Sequence, residues 1–401
     1  MFSRRRFLIL FPSFAASTQA FAIWPTRKKK VVPPPAIHVF FGTDTNKGVS
    51  KGIYRSDFDT KLGQLTAPIL IATTARPSYL AVTPPGPGRR SLYAVNAIND
   101  PAATVTTFVL DLDTGALQQT GQVPSGGAGP AYVSVDSTGH AAFVANYFGA
   151  SVASYRILPD GTLSQPVEHL DFKDHQKFGD LGPNAARQEN SHPHCVTISP
   201  DDRFLLVCDL GTDHIAVFYI HPETGQLSDP HLFTNERPGS GPRHIVFHPN
   251  GRWVYCINEI DSSIDRCLWT ATRFSNTPQG LLVNSTFSIK TIAQDFPADK
   301  NTAAELSISP DGSFLYASNR GEDSLVVFAI AKNGDLTLLQ RISCGGKTPR
   351  HFTLDPTAQW LLCGNQDSAT VTVFRRDVAT GKLSGPMQTV ALDSPLFTLF
   401  A

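Results

Sequence analysis

The sequence predicts an all-β protein, a seven-bladed β-propeller of four-stranded antiparallel blades whose ring is closed by strands from both ends of the chain. Two observations lead there. The first is a degenerate repeat from about Pro77 onward, in which Pro-x-x-hydrophobic-x-hydrophobic precedes a Ser-Pro-Asp-Gly-like turn and an aromatic or aliphatic run ending in Asn or Asp. Its clearest copies start at Pro130, Pro193, Pro242, Ala304 and Pro349, with a looser one at Pro77, and each continues into a second alternating stretch closed by a Thr-Gly-x-Leu-like turn. A period of roughly 45 to 60 residues carrying four short strands is that of a propeller. The second observation lies at the ends. Ile37 to about Thr66 lacks an opening strand, whereas Pro395-Leu396-Phe397-Thr398-Leu399-Phe400 is an opening strand without the rest. Joined, the two make the seventh blade and leave no open sheet edge.

The unit at Ala304 justifies each strand in turn. Leu306 and Ile308 lead into Ser309-Pro310-Asp311-Gly312, where Pro presets φ and Gly accepts φ > 0. Phe314, Tyr316 and Ser318 alternate as the second strand and Leu325, Val327 and Ala329 as the third. Asn333-Gly334 then turns the chain into a fourth through Leu336 and Leu338. The blade after Glu259 is the exception, since Asp265-Arg266-Cys267-Leu268-Trp269 replaces the usual alternating third strand.

The N-terminus is separate. Ser3-Arg4-Arg5-Arg6-Phe7-Leu8, an apolar run and Ala20-Phe21-Ala22 read as a twin-arginine signal over residues 1–22, cleaved after Ala22. An apolar stretch of about 14 residues that includes Pro12 is short for a membrane span. Residues 23–36, basic then Pro-rich, read as a linker to the propeller at 37–401. The expectation is a monomer exported, already folded, by the twin-arginine machinery to the periplasm or beyond.

With 41% hydrophobic and 17% charged residues, 30 Gly and 30 Pro, the composition suits a large all-β core with many turns. Lys plus Arg equals Asp plus Glu at 34 each, so no bulk field favours nucleic acid or an anionic membrane. The six cysteines (Cys195, Cys208, Cys256, Cys267, Cys344 and Cys363) show no CxxC pairing or metal-ligand spacing and read as buried free thiols. Neither a metal nor a cofactor is expected. No Gly-x-Ser-x-Gly elbow occurs, and Ser125-Gly126-Gly127-Ala128-Gly129 precedes a strand rather than a helix, as a loop would.

Topology turns the repeat into a candidate site. Residues just before the first strand and just after the second lie at one end of the hairpin, and first strands line the channel, so these positions meet at one mouth. The copies bring His192, His194 and Asp209; Arg243, His244, Asn258 and Glu259; Glu305, Asn319 and Arg320; Arg350, His351, Asn365 and Gln366; Asn146 and Tyr147 take the matching place earlier. Charged pairs bridging blades would give the same residue in each copy, whereas here Arg or His in one answers Glu in another. Convergent Arg and His beside carboxylates suit an anionic substrate whose carbonyl is attacked, with Arg holding the anion and the oxyanion and Glu or His taking a proton from water.

At these residues the chain resembles the lactonase-type seven-bladed propellers, which include bacterial 6-phosphogluconolactonases and fungal carboxymuconate cyclases. The matching stretches are Arg187-Gln188-Glu189, His192-Pro193-His194, Asp209-Leu210-Gly211-Thr212-Asp213, Gly241-Pro242-Arg243-His244 and Asn258-Glu259. Ala304-Glu305, Ser318-Asn319-Arg320-Gly321, Pro349-Arg350-His351-Phe352 and Gly364-Asn365-Gln366-Asp367-Ser368 also match. The resemblance implies hydrolysis of a sugar lactone of the 6-phosphogluconolactone type without a required metal, through His194, Arg243, Glu259 and Arg320. It places His192, Asp209, His244, Glu305, Arg350, His351, Asn365 and Gln366 around the substrate, an anionic or sugar lactone. A lactonising cyclase and a non-catalytic ligand- or protein-binding propeller are the alternatives, and a cytoplasmic location is the alternative that such relatives suggest. Asn96-Ala97 stands where these proteins often carry Asn-Glu, so one mouth carboxylate is expected to be missing.

Overall fold

Each predicted repeat is a blade. The computed structural model describes residues 37–85, 90–228, 230–234, 237–274 and 277–401; the signal and linker assigned to residues 1–36 lie outside them. Six four-stranded antiparallel sheets open at Pro77, Pro130, Pro193, Pro242, Thr302 and Pro349, and each blade is named here by its opening residue. In the seventh, Pro395–Phe400 pairs with Ile37–Thr43, which pairs with Gly52–Asp59, so the ring closes through the two ends of the chain (Val39 opposite Phe400, Phe41 opposite Thr398). Opening strands neighbour one another around the channel. In the Thr302 blade the strand begins two residues before the predicted start, with Ala303 opposite Asn319.

Burial explains why the strands read as they do. Both faces of a blade are covered by its neighbours, so second strands such as Phe204–Asp209 and Trp360–Asn365 are buried along their whole length. Outermost strands such as Leu383–Ala391 are largely exposed. The core is seven inter-blade layers rather than one nucleus; Phe143, Val196, Leu205, Val207 and Phe218 fill one of them. A repeated hydrogen bond ties blade to blade: the hydroxyls of Tyr93, Tyr255 and Tyr316 donate to the carbonyls of Gly161, Gly334 and Gly381 in the next blade, at 2.8, 2.7 and 2.8 Å. Trp360 Nε1 does the same to Thr60 O at 2.7 Å across the ring closure.

The irregular blade is regular after all. Ser263–Phe274 is a full third strand, and with Thr277–Lys290 it forms a hairpin longer than any other outer pair described. Its polar residues have partners: Asp265 accepts from Asn258 Nδ2 at 2.6 Å, and the Arg266 guanidinium lies over the Trp253 ring at 5.0 Å. All six cysteines are buried and unbridged.

Candidate active site

One backbone device builds the site. Each opening proline pairs with the residue that ends the second strand (Pro77 with Asn96, Pro130 with Asn146, Pro193 with Asp209, Pro242 with Asn258, Pro349 with Asn365), and the register slips by one residue immediately afterwards. Proline has no N–H to continue the ladder. The residue after it is left unpaired as a bulge, a feature that re-aims a side chain. Those bulged residues are Ser78, Ala131, His194, Arg243 and Arg350; Leu396 is the equivalent in the closing blade, and the Thr302 blade bulges at Ala304-Glu305. Ser78, Ala131, His194 and Arg350 line a cavity of about 360 Å³ at the channel mouth.

The residue after the strand-ending Asn supplies the opposite wall: Ala97, Tyr147, Glu259 and Arg320. The Asn itself does not. Asn96, Asn146, Asn258, Asn319 and Asn365 are all buried. Four of them donate to the segment leading into their own blade, as in Asn96 to Ala75 O, Asn146 to Ser125 O, Asn319 to Thr291 O and Asn365 to Cys344 O. Alternation puts consecutive residues on opposite sides, so a latch and a cavity residue follow each other. Arg76, Arg187 and Glu189 complete the mouth from the connecting segments.

Four guanidinium groups and two carboxylates therefore line the cavity. Glu259 is the hub: Oε2 accepts from Arg243 Nε at 2.9 Å and pairs with Arg320 Nη2 at 2.8 Å, and Oε1 accepts from Arg187. Burial alone raises its pKa, but Arg320, Arg243 and Arg187 outweigh burial and hold the carboxyl well below its usual range. Arg350 has no hydrogen-bond or ion-pair partner among the described residues; burial, with Arg243 and Arg320 nearby, pushes its pKa down. His194 is also without a hydrogen bond, and its Nδ1 is fully buried. Burial, then the charges of Arg243 and His244, push this imidazole well below its ordinary pKa, so it is neutral at pH 7.

A small chamber of about 10 Å³ lies next to the cavity, sharing His194, Arg350, Ser78 and Ala131 with it and adding Arg243, His244, Glu305 and His351. Aromatic rings pack around it, Tyr79 on Tyr132 at 3.8 Å and on Phe397 at 3.9 Å. Glu305 Oε2 is 3.2 Å from His244 Nδ1 and 3.4 Å from His351 Nε2. Burial raises the Glu305 pKa and lowers those of both histidines, His351 to about 4.

The structure thus brings His194, Glu259, Arg320 and Arg350 to one cavity and sets Arg243, His244, Glu305 and His351 around the chamber. Arg243 directs its guanidinium to Glu259, Ala304 O and the His244 ring. His192 stacks on Tyr147 at 4.2 Å, with its ring nitrogens 2.9 Å from Tyr147 O and 3.1 Å from Glu189 Oε1. Asp209 accepts from Ser191 Oγ and from the backbone N–H of His192 (2.6 Å) and Gly211 (2.9 Å). His192, Asp209, Asn365 and Gln366 therefore line neither space. Arg76, Ser78, Ala131, Arg187 and Glu189 line the cavity without having been picked out as site residues; for Ser78 and Ala131 the signal is position, since each follows an opening proline. Among the described residues no three His, Cys, Asp or Glu side chains are grouped to hold a metal ion.

Residues 38–400 match the family described as Lactonase, 7-bladed beta-propeller. A 6-phosphogluconolactonase of Formosa agariphila is 33% identical over 371 residues, covering 90% of this chain and 99% of its own length. One from Bacillus subtilis is 30% identical over 364 residues, covering 90% and 97%. Among solved structures, the periplasmic gluconolactonase of Pseudomonas aeruginosa superposes with a TM-score of 0.78 at 31% identity, covering 91% of this chain and 98% of that one.

Proposed function

The chain belongs to the lactonase family of seven-bladed β-propellers, and from that premise we propose that it opens a sugar lactone carrying an anionic group, of the 6-phosphogluconolactone type, by attack of water at the channel mouth. The observation that carries this reading is that a neutral imidazole at His194 and a guanidinium at Arg350, neither with a hydrogen-bond partner among the described residues, line one cavity. A volume of about 360 Å³ suits a monosaccharide-sized ligand.

In the step as proposed, His194 takes a proton from water as its oxygen attacks the lactone carbonyl carbon. Charge develops on the carbonyl oxygen and meets the Arg320 guanidinium, a donor already fixed by Glu259 and by the carbonyls of Thr302 and Ala303. Collapse of the tetrahedral intermediate breaks the ring C–O bond, and the departing ring oxygen receives the proton from the imidazolium. The product is a hydroxy acid, which releases one proton at neutral pH. Arg350 takes the substrate's anion. Glu259, neutralised by three arginines, is a poor base, and its role is to hold the guanidinium array in register.

Proton release at constant pH over a panel of neutral, carboxylated and phosphorylated sugar lactones tests this reading. Faster turnover of anionic lactones, with that advantage lost in Arg350→Leu, is expected. An advantage of anionic over neutral lactones that survives in Arg350→Leu overturns the anion assignment, and no turnover across the panel overturns the lactone.

Twin-arginine export belongs to the same proposal, supported by Ser3-Arg4-Arg5-Arg6-Phe7-Leu8 and by the periplasmic designation of the Pseudomonas relative. An Arg4→Lys/Arg5→Lys double variant is expected to stay in the cytoplasm on cell fractionation; unchanged export overturns it.

A further inference from the structure

We propose that one buried water bridges His194 Nδ1 and Glu305 Oε2, and that Glu305 acts through it as a positioning residue for the imidazole; the kinetic half of this rests on His194 being the base. Both atoms are fully buried; His194 Nδ1 has no hydrogen bond, and Glu305 Oε2 makes none of good geometry, its nearest neighbours being His244 Nδ1 at 3.2 Å and His351 Nε2 at 3.4 Å. A buried polar atom lacking a well-formed hydrogen bond is costly, and these two belong to side chains lining the same chamber. A chamber of about 10 Å³ is the size of one water, which needs two to four polar partners. His194 Nδ1, Glu305 Oε2 and the guanidinium of Arg350, which also lines it, supply them.

The bridge decides which nitrogen is the base. A water that donates to Glu305 Oε2 accepts best from a protonated Nδ1, and a neutral imidazole protonated on Nδ1 keeps its lone pair on Nε2. Because His194 also lines the larger cavity, while its Nδ1 has no exposure, Nε2 is the nitrogen left for the attacking water. Glu305 is itself gripped between His244 and His351, so the carboxylate is a fixed reference for the ring. Glu305, which lines the chamber but not the larger cavity, thereby has a use.

Nitrogen-15 NMR of histidine-labelled protein, with His194 assigned by comparison with His194→Gln, tests the bridge without requiring turnover. The expected spectrum is Nδ1–H with bare Nε2 in the parent, shifting toward mixed tautomers in Glu305→Leu and closer to the parent in the isosteric Glu305→Gln, whose amide oxygen still accepts. In steady state, Glu305→Leu is expected to lose about 10–100-fold in kcat with KM little changed, the scale on which outer partners of metal-ligating histidines act, and Glu305→Gln to recover part of it. An Nε2–H tautomer in the parent, or tautomers indifferent to both substitutions, overturns the proposal whatever the lactone assays give. A Gln variant that folds and loses as much kcat as Leu overturns the positioning role, and so does a Leu variant with parental kcat. Absence of turnover in the parent bears on the lactone reading alone, and the NMR comparison still decides the bridge.

Discussion

The same two repeat positions differ across the ring. In the Pro77 and Pro130 blades the bulged residue and the residue after the terminal Asn include Ser78, Ala97 and Ala131; from Pro193 onward they include His194, Glu259, Arg320 and Arg350. The backbone device is shared, with proline pairing and a bulge in both regions, Asp209 standing in for the Asn in the Pro193 blade and the Thr302 blade bulging at Ala304-Glu305 instead. The difference lies in side-chain volume and charge alone. One arc contributes small side chains to the cavity and the other contributes charged ones, so the repeat is shared as scaffold and differs as lining.

Breaking the charged arc at His194 should have the largest effect. His194→Gln is expected to lower kcat about 10³-fold with KM little changed, the scale of a general base, measured as initial proton release at saturating lactone. A loss under tenfold would move the base elsewhere. The same ring sets the pH response. Burial depresses the pKa values of His194, His244 and His351, so activity should fall on the acid side with a midpoint below 6.5. Stability follows the same sign: the unfolded chain takes up protons near pH 6.5 while the folded protein resists, so stability present above 6.5 is lost as pH falls, with His351 still resisting down to about 4. The urea midpoint should decrease as pH falls from 7, opposed by Glu305 and Asp209, whose carboxyl pKa values burial raises; a midpoint that rises on acidification would mean the histidines do not dominate the profile.

Next is Arg350→Leu. It is expected to raise KM for an anionic lactone about 30-fold, in line with loss of a charge-assisted contact worth about 2 kcal/mol, while KM for a neutral lactone stays within twofold. Equal effects on both would assign Arg350 to shaping the cavity instead of reading charge.

The small arc is tested by filling it. Ala131→Phe puts a ring into the cavity opposite the charged wall, and about a tenfold rise in KM is expected, with kcat at saturation less affected, because uniform binding is lost rather than transition-state contact. Ala97→Glu is sharper, since a carboxylate there faces Arg76, which already pairs with Asp44 at 3.3 Å. It should favour neutral over anionic lactones relative to the parent, read as a ratio of kcat/KM values.

How far the sequence disclosed this arc structure follows from register. The blades were legible because proline and the Ser-Pro-Asp-Gly turn recur, and closure was legible because Pro395–Phe400 lacks the rest of its blade. Convergence at one mouth followed from topology. Asn365 and Asp209 were grouped with Gln366 and His192 around the substrate because sequence places all four at the same hairpin end, whereas a one-residue step selects latch or cavity in an alternating strand; Gln366, which follows its latch yet lines neither space, departs from that rule. Depth was equally hidden: the residue one after the opening proline reaches the mouth at His194 and Arg350, and the residue two after it, His244 or His351, lines the chamber. A bulge after proline is the missing rule. It is readable in principle from the absent N–H, but only once the pairing partner is known.

The smallest effect is expected where the two arcs are alike. Tyr93 OH donates to Gly161 O at 2.8 Å between the Pro77 and Pro130 blades, as Tyr255 does between the Pro242 and Thr302 blades. Tyr93→Phe removes that hydroxyl and keeps the ring in its layer, so stability should fall by about 1 kcal/mol, read as a lower urea midpoint at unchanged slope. Because this bond belongs to the scaffold and not to the arc, kcat and KM should match the parent. The paired variant Tyr255→Phe, under the charged arc, should cost the same within about 0.5 kcal/mol. A larger loss there, or any loss of activity in either variant, would mean that the scaffold is not shared equally and that the charged arc is held by its own blades.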